Sequence, residues 1–252
     1  MAIRPKLRVL CFGDSLTAGY ASMGMVYHPY KDKLQQMLEM AFPDMDIATI
    51  DDGQPGDTVK FGFLPRIQRL FPRGRKSEEL YDWTIVLGGT NDLAYNLKPE
   101  DIFDKLKEIW DVPLRRKSKV LALTVPEVGV EEGRERRDAR RTRLNELIMA
   151  YKREGYHTFD LAAAIPYFSM SPDDRKKHWD DAIHFTPAGY DLIGKVVGMA
   201  LVKVLEKERA RNPPPTRKRR LFRDDDKVFE EEVGDPSSLE GGYVVVRLKD
   251  LD

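Results

Sequence analysis

Apolar residues along the chain follow two alternating periods. Residues 7–12, Leu-Arg-Val-Leu-Cys-Phe, form a short apolar run closed by Gly13. That length and that stop predict a buried strand. Tyr30, Leu34, Met37, Leu38 and Ala41 then recur at helical spacing, and Pro43 ends the helix they predict. Residues 46–50 read as a second strand, and residues 59–70 as a helix in spite of Pro65. Trp83-Thr84-Ile85-Val86-Leu87 is a third strand, stopped by Gly88-Gly89. Pro99 opens a helix whose apolar face is Ile102, Phe103, Leu106, Ile109 and Trp110. Residues 119–125 predict a fourth strand closed by Pro126. Leu144, Leu147, Ile148 and Tyr151 mark a further helix, with Gly155 as its expected C-cap. Residues 156–159 form a short fifth strand. In the last long helix Thr186 is the N-cap, Pro187 stands in the first turn, and Tyr190, Ile193, Val197, Leu201 and Val204 face the core.

Strand and helix alternate throughout, which calls for right-handed crossovers. The expected fold class is therefore α/β, with a five-stranded parallel sheet covered by helices on both faces, and no internal repeat. After residue 211 the pattern stops. Asn212-Pro213-Pro214-Pro215 breaks the helix, Arg217, Lys218, Arg219 and Arg220 form a basic run, and an acidic stretch follows. We therefore expect one folded domain over 1–211 and a charged, partly disordered tail over 212–252. Residues 243–248 of that tail could add an edge strand here or on a partner.

Composition narrows the function classes. Lys plus Arg and Asp plus Glu are 42 each, so no global field draws the protein to nucleic acid or to an anionic membrane. The single cysteine, Cys11, excludes an internal disulfide. No apolar stretch approaches the roughly 20 residues of a membrane span. The residues before the first strand lack a signal-peptide core, giving the expectation of a cytoplasmic protein. The run Arg217 to Arg220 could instead serve nuclear import.

In an open parallel sheet, ligands bind at the carboxyl ends of the strands. Gly13-Asp14-Ser15-Leu16-Thr17 follows the first strand. Gln54-Pro55-Gly56-Asp57-Thr58 follows the second, and Gly88-Gly89-Thr90-Asn91-Asp92 the third. Asp181-Ala182-Ile183-His184 stands just before the last helix. Topology thus gathers a hydroxyl, an imidazole, a carboxylate and several amide donors on one edge. Those are the parts of a serine nucleophile, its base, an orienting acid and an oxyanion hole. Ser15 can give its hydroxyl and its own N–H, Gly56 a closely approaching N–H, and Asn91 a side-chain amide.

These four blocks, in this order over roughly residues 7–205, resemble the SGNH, or GDSL-type, hydrolases. The resemblance implies a three-layer flavodoxin-like sandwich and a carboxylic ester hydrolase that needs no cofactor. It makes Ser15 the nucleophile, His184 the base and Asp181 the acid, with Ser15, Gly56 and Asn91 as oxyanion donors. One departure is Asp51, where the second block usually begins with asparagine. Thioesterase and lysophospholipase activities fall within the same resemblance. A non-catalytic module holding an ester in the same crevice is the rival from another class.

Other motifs carry less. The nucleophile elbow of α/β-hydrolases is Gly-x-Ser-x-Gly, and here Thr17 takes the place of its second glycine. His28, His157 and His178 read as surface or packing residues. Asp174, Asp180 and Asp181 lie near His178 and His184 in sequence, yet no His-x-x-x-His or cysteine cluster supports a metal. Asp14 suits capping of loop N–H groups, and Cys11 an inert core position. The arginines between 134 and 143 are interleaved with acids, which fits a solvated helix face. Loops 18–26, 93–97 and 125–133 should shape an acyl pocket. Tyr20, Tyr95 and Trp179 either wall it or pack, and a small-molecule ester is the expected substrate.

Overall fold

The computed structural model describes residues 4–72, 74 and 80–211. The chain separates into a unit Met1–Glu208 and a unit Arg209–Asp252, of which residues from 212 on lie outside the described set. The basic run Arg217 to Arg220 and the possible edge strand 243–248 fall there.

The elements run in the order β1 Lys6–Gly13, α1 Ser15–Ala18, β2 Tyr20–Ala21, β3 Val26–Tyr27, α2 Lys31–Ala41, β4 Asp46–Gly53, α3 Leu64–Leu70, β5 Trp83–Leu87, α4 Thr90–Ala94 and α5 Pro99–Arg115. Then come β6 Lys119–Leu123, α6 Arg134–Ala150, β7 Tyr156–Phe159, α7 Leu161–Ala164, α8 Pro172–His178 and α9 Pro187–Arg211. A 3-10 turn, Ser22–Gly24, joins β2 to β3, and a π-turn, Val59–Phe63, leads into α3.

The main sheet has five strands in the order β4-β1-β5-β6-β7, all parallel. Counting sheet strands alone, this is the 2-1-3-4-5 order of a flavodoxin-like sandwich, with its switch point between β1 and β5. The three central strands, β1, β5 and β6, are buried on both faces over most of their length, yet period-2 alternation still sorts their side chains. Leu7, Val9, Cys11, Trp83, Ile85, Leu87, Leu121 and Leu123 pack with α2 and α9. Leu10, Phe12, Val86, Val120 and Ala122 pack with α3, α5 and α6. Two apolar layers thus sandwich the sheet, as the alternation of elements requires. No helix among the described residues is long and apolar enough to cross a membrane.

Three boundaries differ from the sequence expectation, each for a local reason. β4 continues beyond Ile50 to Gly53 because it stays in register with β1 down to the pair Gly13–Gly53. β6 stops at Leu123 because Val125 donates its N–H to Asn145 Oδ1 at 2.8 Å and its carbonyl accepts from Asn145 Nδ2 at 3.0 Å. α6 ends at Ala150 and not near Gly155, because Tyr151 turns extended. Its ring then lies against Trp110 and Tyr156. Gly155, at φ 75°, serves the turn into β7 instead. Pro65 is accommodated because it stands in the first turn of α3, where its missing N–H is not needed.

Candidate active site

Ser15 leads α1, a single turn placed where β1 leaves the sheet. The Asp14 side chain caps it by accepting the Leu16 N–H at 3.0 Å, and Gly19 closes it in the left-handed region at φ 75°. The turn is wedged tightly. A Cβ on Gly53 would stand 2.1 Å from the Ala18 nitrogen, and one on Gly13 would meet the Leu87 carbonyl at 2.5 Å. Backbone packing therefore fixes where the Ser15 hydroxyl points, and the residue is only 7% exposed.

His184 and Asp181 come from the loop between α8 and α9. That loop is pinched at its base by a bridge between Trp179 and Phe185, whose buried rings stack 4.0 Å apart. The Thr186 hydroxyl accepts the Gly189 N–H at 3.1 Å, as an N-cap should. Thr186 N–H in turn donates to the His178 carbonyl at 3.0 Å. Inside the loop Asp181 Oδ1 accepts the backbone N–H groups of Ile183 and His184, each at 2.6 Å. Asp181 Oδ2 lies 2.9 Å from His184 Nδ1, and His184 Nε2 lies 3.1 Å from Ser15 Oγ. Residues 169 positions apart in sequence thus meet in hydrogen-bond contact. Burial alone would raise the Asp181 carboxyl, but the bonds from the His184 ring and from the two N–H groups outweigh it and hold the carboxyl below its usual range. An ionised Asp181 favours the tautomer with a proton on Nδ1, which leaves the Nε2 lone pair facing Ser15.

Gln54-Pro55-Gly56-Asp57 is a tight turn after β4, closed by Asp57 N–H on the Gln54 carbonyl at 3.1 Å. Pro at the second position and Gly, at φ 77°, at the third are the residues a type II turn demands. Gly56 is exposed, and its own N–H takes no part in closing the turn. Asn91 is the second residue of α4, after β5, and its Nδ2 donates one proton to the Asp57 carbonyl at 2.8 Å. That bond ties the second block to the third and leaves the second amide proton of Asn91 for another acceptor. Ser15 and Asn91 flank the switch point of the sheet.

Beneath these loops lies a charged cluster that sequence reasoning missed. Arg66, on α3, is 5% exposed. Its Nε is 2.9 Å from Asp52 Oδ1 and its Nη1 is 2.9 Å from Asp57 Oδ2. Its Nη2 donates to the Gly13 carbonyl, while the guanidinium lies over the Phe12 ring at 4.4 Å. One side chain therefore braces the ends of β1 and β4 and the turn that carries Gly56. The available signal was its position: Val59, Phe63, Arg66 and Ile67 share one helical face, and a lone charge on an apolar face needs partners. Asp92 is a second such brace, fully buried and accepting the Val59 and Lys60 N–H groups at 2.9 Å each.

Asp14 keeps the capping role expected of it, and one consequence is measurable. Burial pushes its carboxyl up to about 7, with the Leu16 N–H offsetting part and Asp92 adding to the rise. A folded-state pKa above the unfolded one means stability is full below the ordinary carboxylate range and is lost as pH rises through about 7. We expect the thermal midpoint of the wild type to fall between pH 5 and pH 8, and Asp14→Asn to flatten that fall, since the amide still accepts the Leu16 N–H. Equal slopes for the two proteins would overturn this. Asp51, in place of the usual asparagine, is likewise raised, to about 6, by burial.

The remaining candidates separate clearly. The Tyr20 ring lies 4.7 Å from the His184 ring and walls the site. Trp179 packs in the core, and Tyr95 is exposed. His28 pairs with Asp191 at 2.9 Å, and His157 lies against Trp83. Cys11 is fully buried. No group of three His, Cys, Asp or Glu side chains among the described residues is placed to hold a metal ion.

Comparison with known proteins bears on the family and the fold. The profile of the GDSL-like lipase/acylhydrolase family matches residues 11–192, well over half of the chain. No curated protein matches it in sequence. Among solved structures, the chain is similar to a lipase/acylhydrolase from Enterococcus faecalis, at 22% identity and a TM-score of 0.56, over 79% of this chain and 96% of that one. It is similar to AlinE4, an SGNH-hydrolase family esterase, at 23% identity and a TM-score of 0.54, over 84% of this chain and 100% of that one. A member of the lipolytic G-D-S-L family from Veillonella parvula gives 18% identity and a TM-score of 0.57, over 75% and 94%. Those identities speak for a shared fold, and the profile match, which runs from the end of β1 into α9, speaks for the family. With its four blocks gathered on the carboxyl edge of a 2-1-3-4-5 sheet, this chain belongs to the GDSL-like lipase/acylhydrolase, or SGNH, family of ester hydrolases.

Proposed function

We propose that the chain is a serine esterase that cleaves carboxylic esters through an acyl-enzyme on Ser15. The observation that carries this reading is the continuous relay of hydrogen-bond contacts from Asp181 Oδ2 through His184 to Ser15 Oγ, at 2.9 and 3.1 Å. His184 Nε2 takes the hydroxyl proton as Oγ attacks the ester carbonyl. Asp181 stabilises the imidazolium that results. The negative charge on the former carbonyl oxygen is held by the N–H groups of Ser15 and Gly56 and by the free amide proton of Asn91. His184 then protonates the departing alcohol. A water molecule, deprotonated in turn by His184, releases the acid and restores Ser15.

Asn91 offers a graded test. Asn91→Ala removes one oxyanion donor and should lower kcat on p-nitrophenyl acetate by roughly 10²–10³-fold, about 3 kcal/mol of barrier. The protein should stay folded, because the lost Asp57 contact is a single partly buried hydrogen bond. A kcat within threefold of wild type would exclude Asn91 from the oxyanion site.

A further inference from the structure

Four of the ten large apolar side chains exposed among the described residues fall within five consecutive positions, Met23, Met25, Val26 and Tyr27. Met23 is 85% and Met25 77% exposed. They form the tip and the second strand of the β2–β3 hairpin, whose sequence from Tyr20 to Tyr27 carries no charge. Apolar side chains clustered on the surface in this way mark a surface that meets another apolar group.

The hairpin is held firmly in place. The His28 N–H donates to the Gly19 carbonyl at 2.8 Å, and the Tyr190 hydroxyl donates to the Tyr20 carbonyl at 2.7 Å. Ser22 and Met23 both sit in the left-handed region, at φ 51° and 56°, which side chains other than glycine rarely adopt. Such backbone persists only where its surroundings over-determine it. Gly24 cannot gain a side chain without striking the Tyr20 ring.

What the hairpin is held against is the acid-base loop. Ser22 N–H donates to Asp180 Oδ2 at 2.7 Å, and Asp180 N–H donates to the His184 carbonyl at 2.9 Å. The Tyr20 ring lies 4.7 Å from the His184 imidazole and 5.9 Å from the Tyr27 ring, linking the hairpin to the base.

We infer that the β2–β3 hairpin is the acyl-chain rest of the site, and that the preferred substrates are esters with an extended apolar acyl chain. The inference builds on the esterase reading of Ser15. An acyl chain leaving a carbonyl at Ser15 passes Tyr20 and lies over Met23 and Met25. The flexible, polarisable methionine side chains can follow chains of differing length and bend.

Soluble p-nitrophenyl acetate, butyrate and octanoate, all kept below their aggregation concentrations, provide the test. In the wild type kcat/KM should rise by roughly two- to fourfold per methylene for the first few added. The double substitution Met23→Ser with Met25→Ser should lower the octanoate-to-acetate ratio about tenfold. The pair Met23→Leu with Met25→Leu should retain it, and so should Met40→Ser, which alters an exposed methionine on α2. A ratio unaltered by the serine pair, or a wild-type ratio below one, overturns the inference. So does a chain-length preference that appears only on micelles or vesicles, which would make the hairpin a lipid-docking surface. Failure of the esterase reading looks different: no ester is cleaved, acetate included, and a fluorophosphonate labels nothing.

Discussion

Ser15→Ala is expected to yield a folded protein whose turnover of p-nitrophenyl acetate falls by roughly 10⁴–10⁶-fold and which no longer reacts with a fluorophosphonate. The size follows from the mechanism. Without Oγ there is no acyl-enzyme, and only the oxyanion donors and the binding of the ester remain to assist water. Folding should survive, since the hydroxyl contacts His184 and the rest of the turn is held by Asp14 and by the packing of Gly13 and Gly53. Mass spectrometry of the labelled wild type should place the adduct on Ser15. An adduct on another residue, or undiminished labelling of the variant, would move the nucleophile elsewhere.

The second large effect is on stability. Arg66→Met keeps much of the volume over Phe12 but removes the cation shared by Asp52, Asp57 and the Gly13 carbonyl. Breaking a buried pair from one side leaves the two carboxylates without the cation that offsets their charge, at a cost of about 3–5 kcal/mol. For a domain near 200 residues that corresponds to a drop of roughly 6–20 °C in thermal midpoint. The loss should be partly recovered when Asp52→Asn and Asp57→Asn are added, because the stranded charges go with them. Activity of the single variant should fall as well, through looser placement of the Gly56 turn and of Gly13 beside the nucleophile. A midpoint within 2 °C of wild type would show that the cluster is not the brace described above.

Much of the fold was readable because its signals are local. Period-3.6 faces, short strand-length apolar runs and Gly or Pro stops mark the long helices and the five strands of the sheet, and each element needs only its own residues to declare itself. The segments that escaped are those whose stability comes from elsewhere. The β2–β3 hairpin is two residues per strand and stands only because Tyr190, Asp180 and Gly19 hold it. The acidic residues after Ile50 read as loop, yet Asp52 and Gly53 remain in the sheet because β1 pairs with them and Arg66 neutralises Asp52. Tyr151 fits the helical spacing but leaves the helix so that its ring can reach Trp110 and Tyr156.

Order along the chain was enough to place Ser15, Gly56, Asn91, Asp181 and His184 on one edge, since strand direction in a parallel sheet dictates which loops share it. Whether hydroxyl, imidazole and carboxylate lie within hydrogen-bond reach is another matter, for a few ångströms between segments 169 residues apart depend on every packed layer between them. The same holds for Arg66 and Asp92. Their roles come from burial among partners distant in sequence, and a charge discloses such partners only when the chain has folded around it.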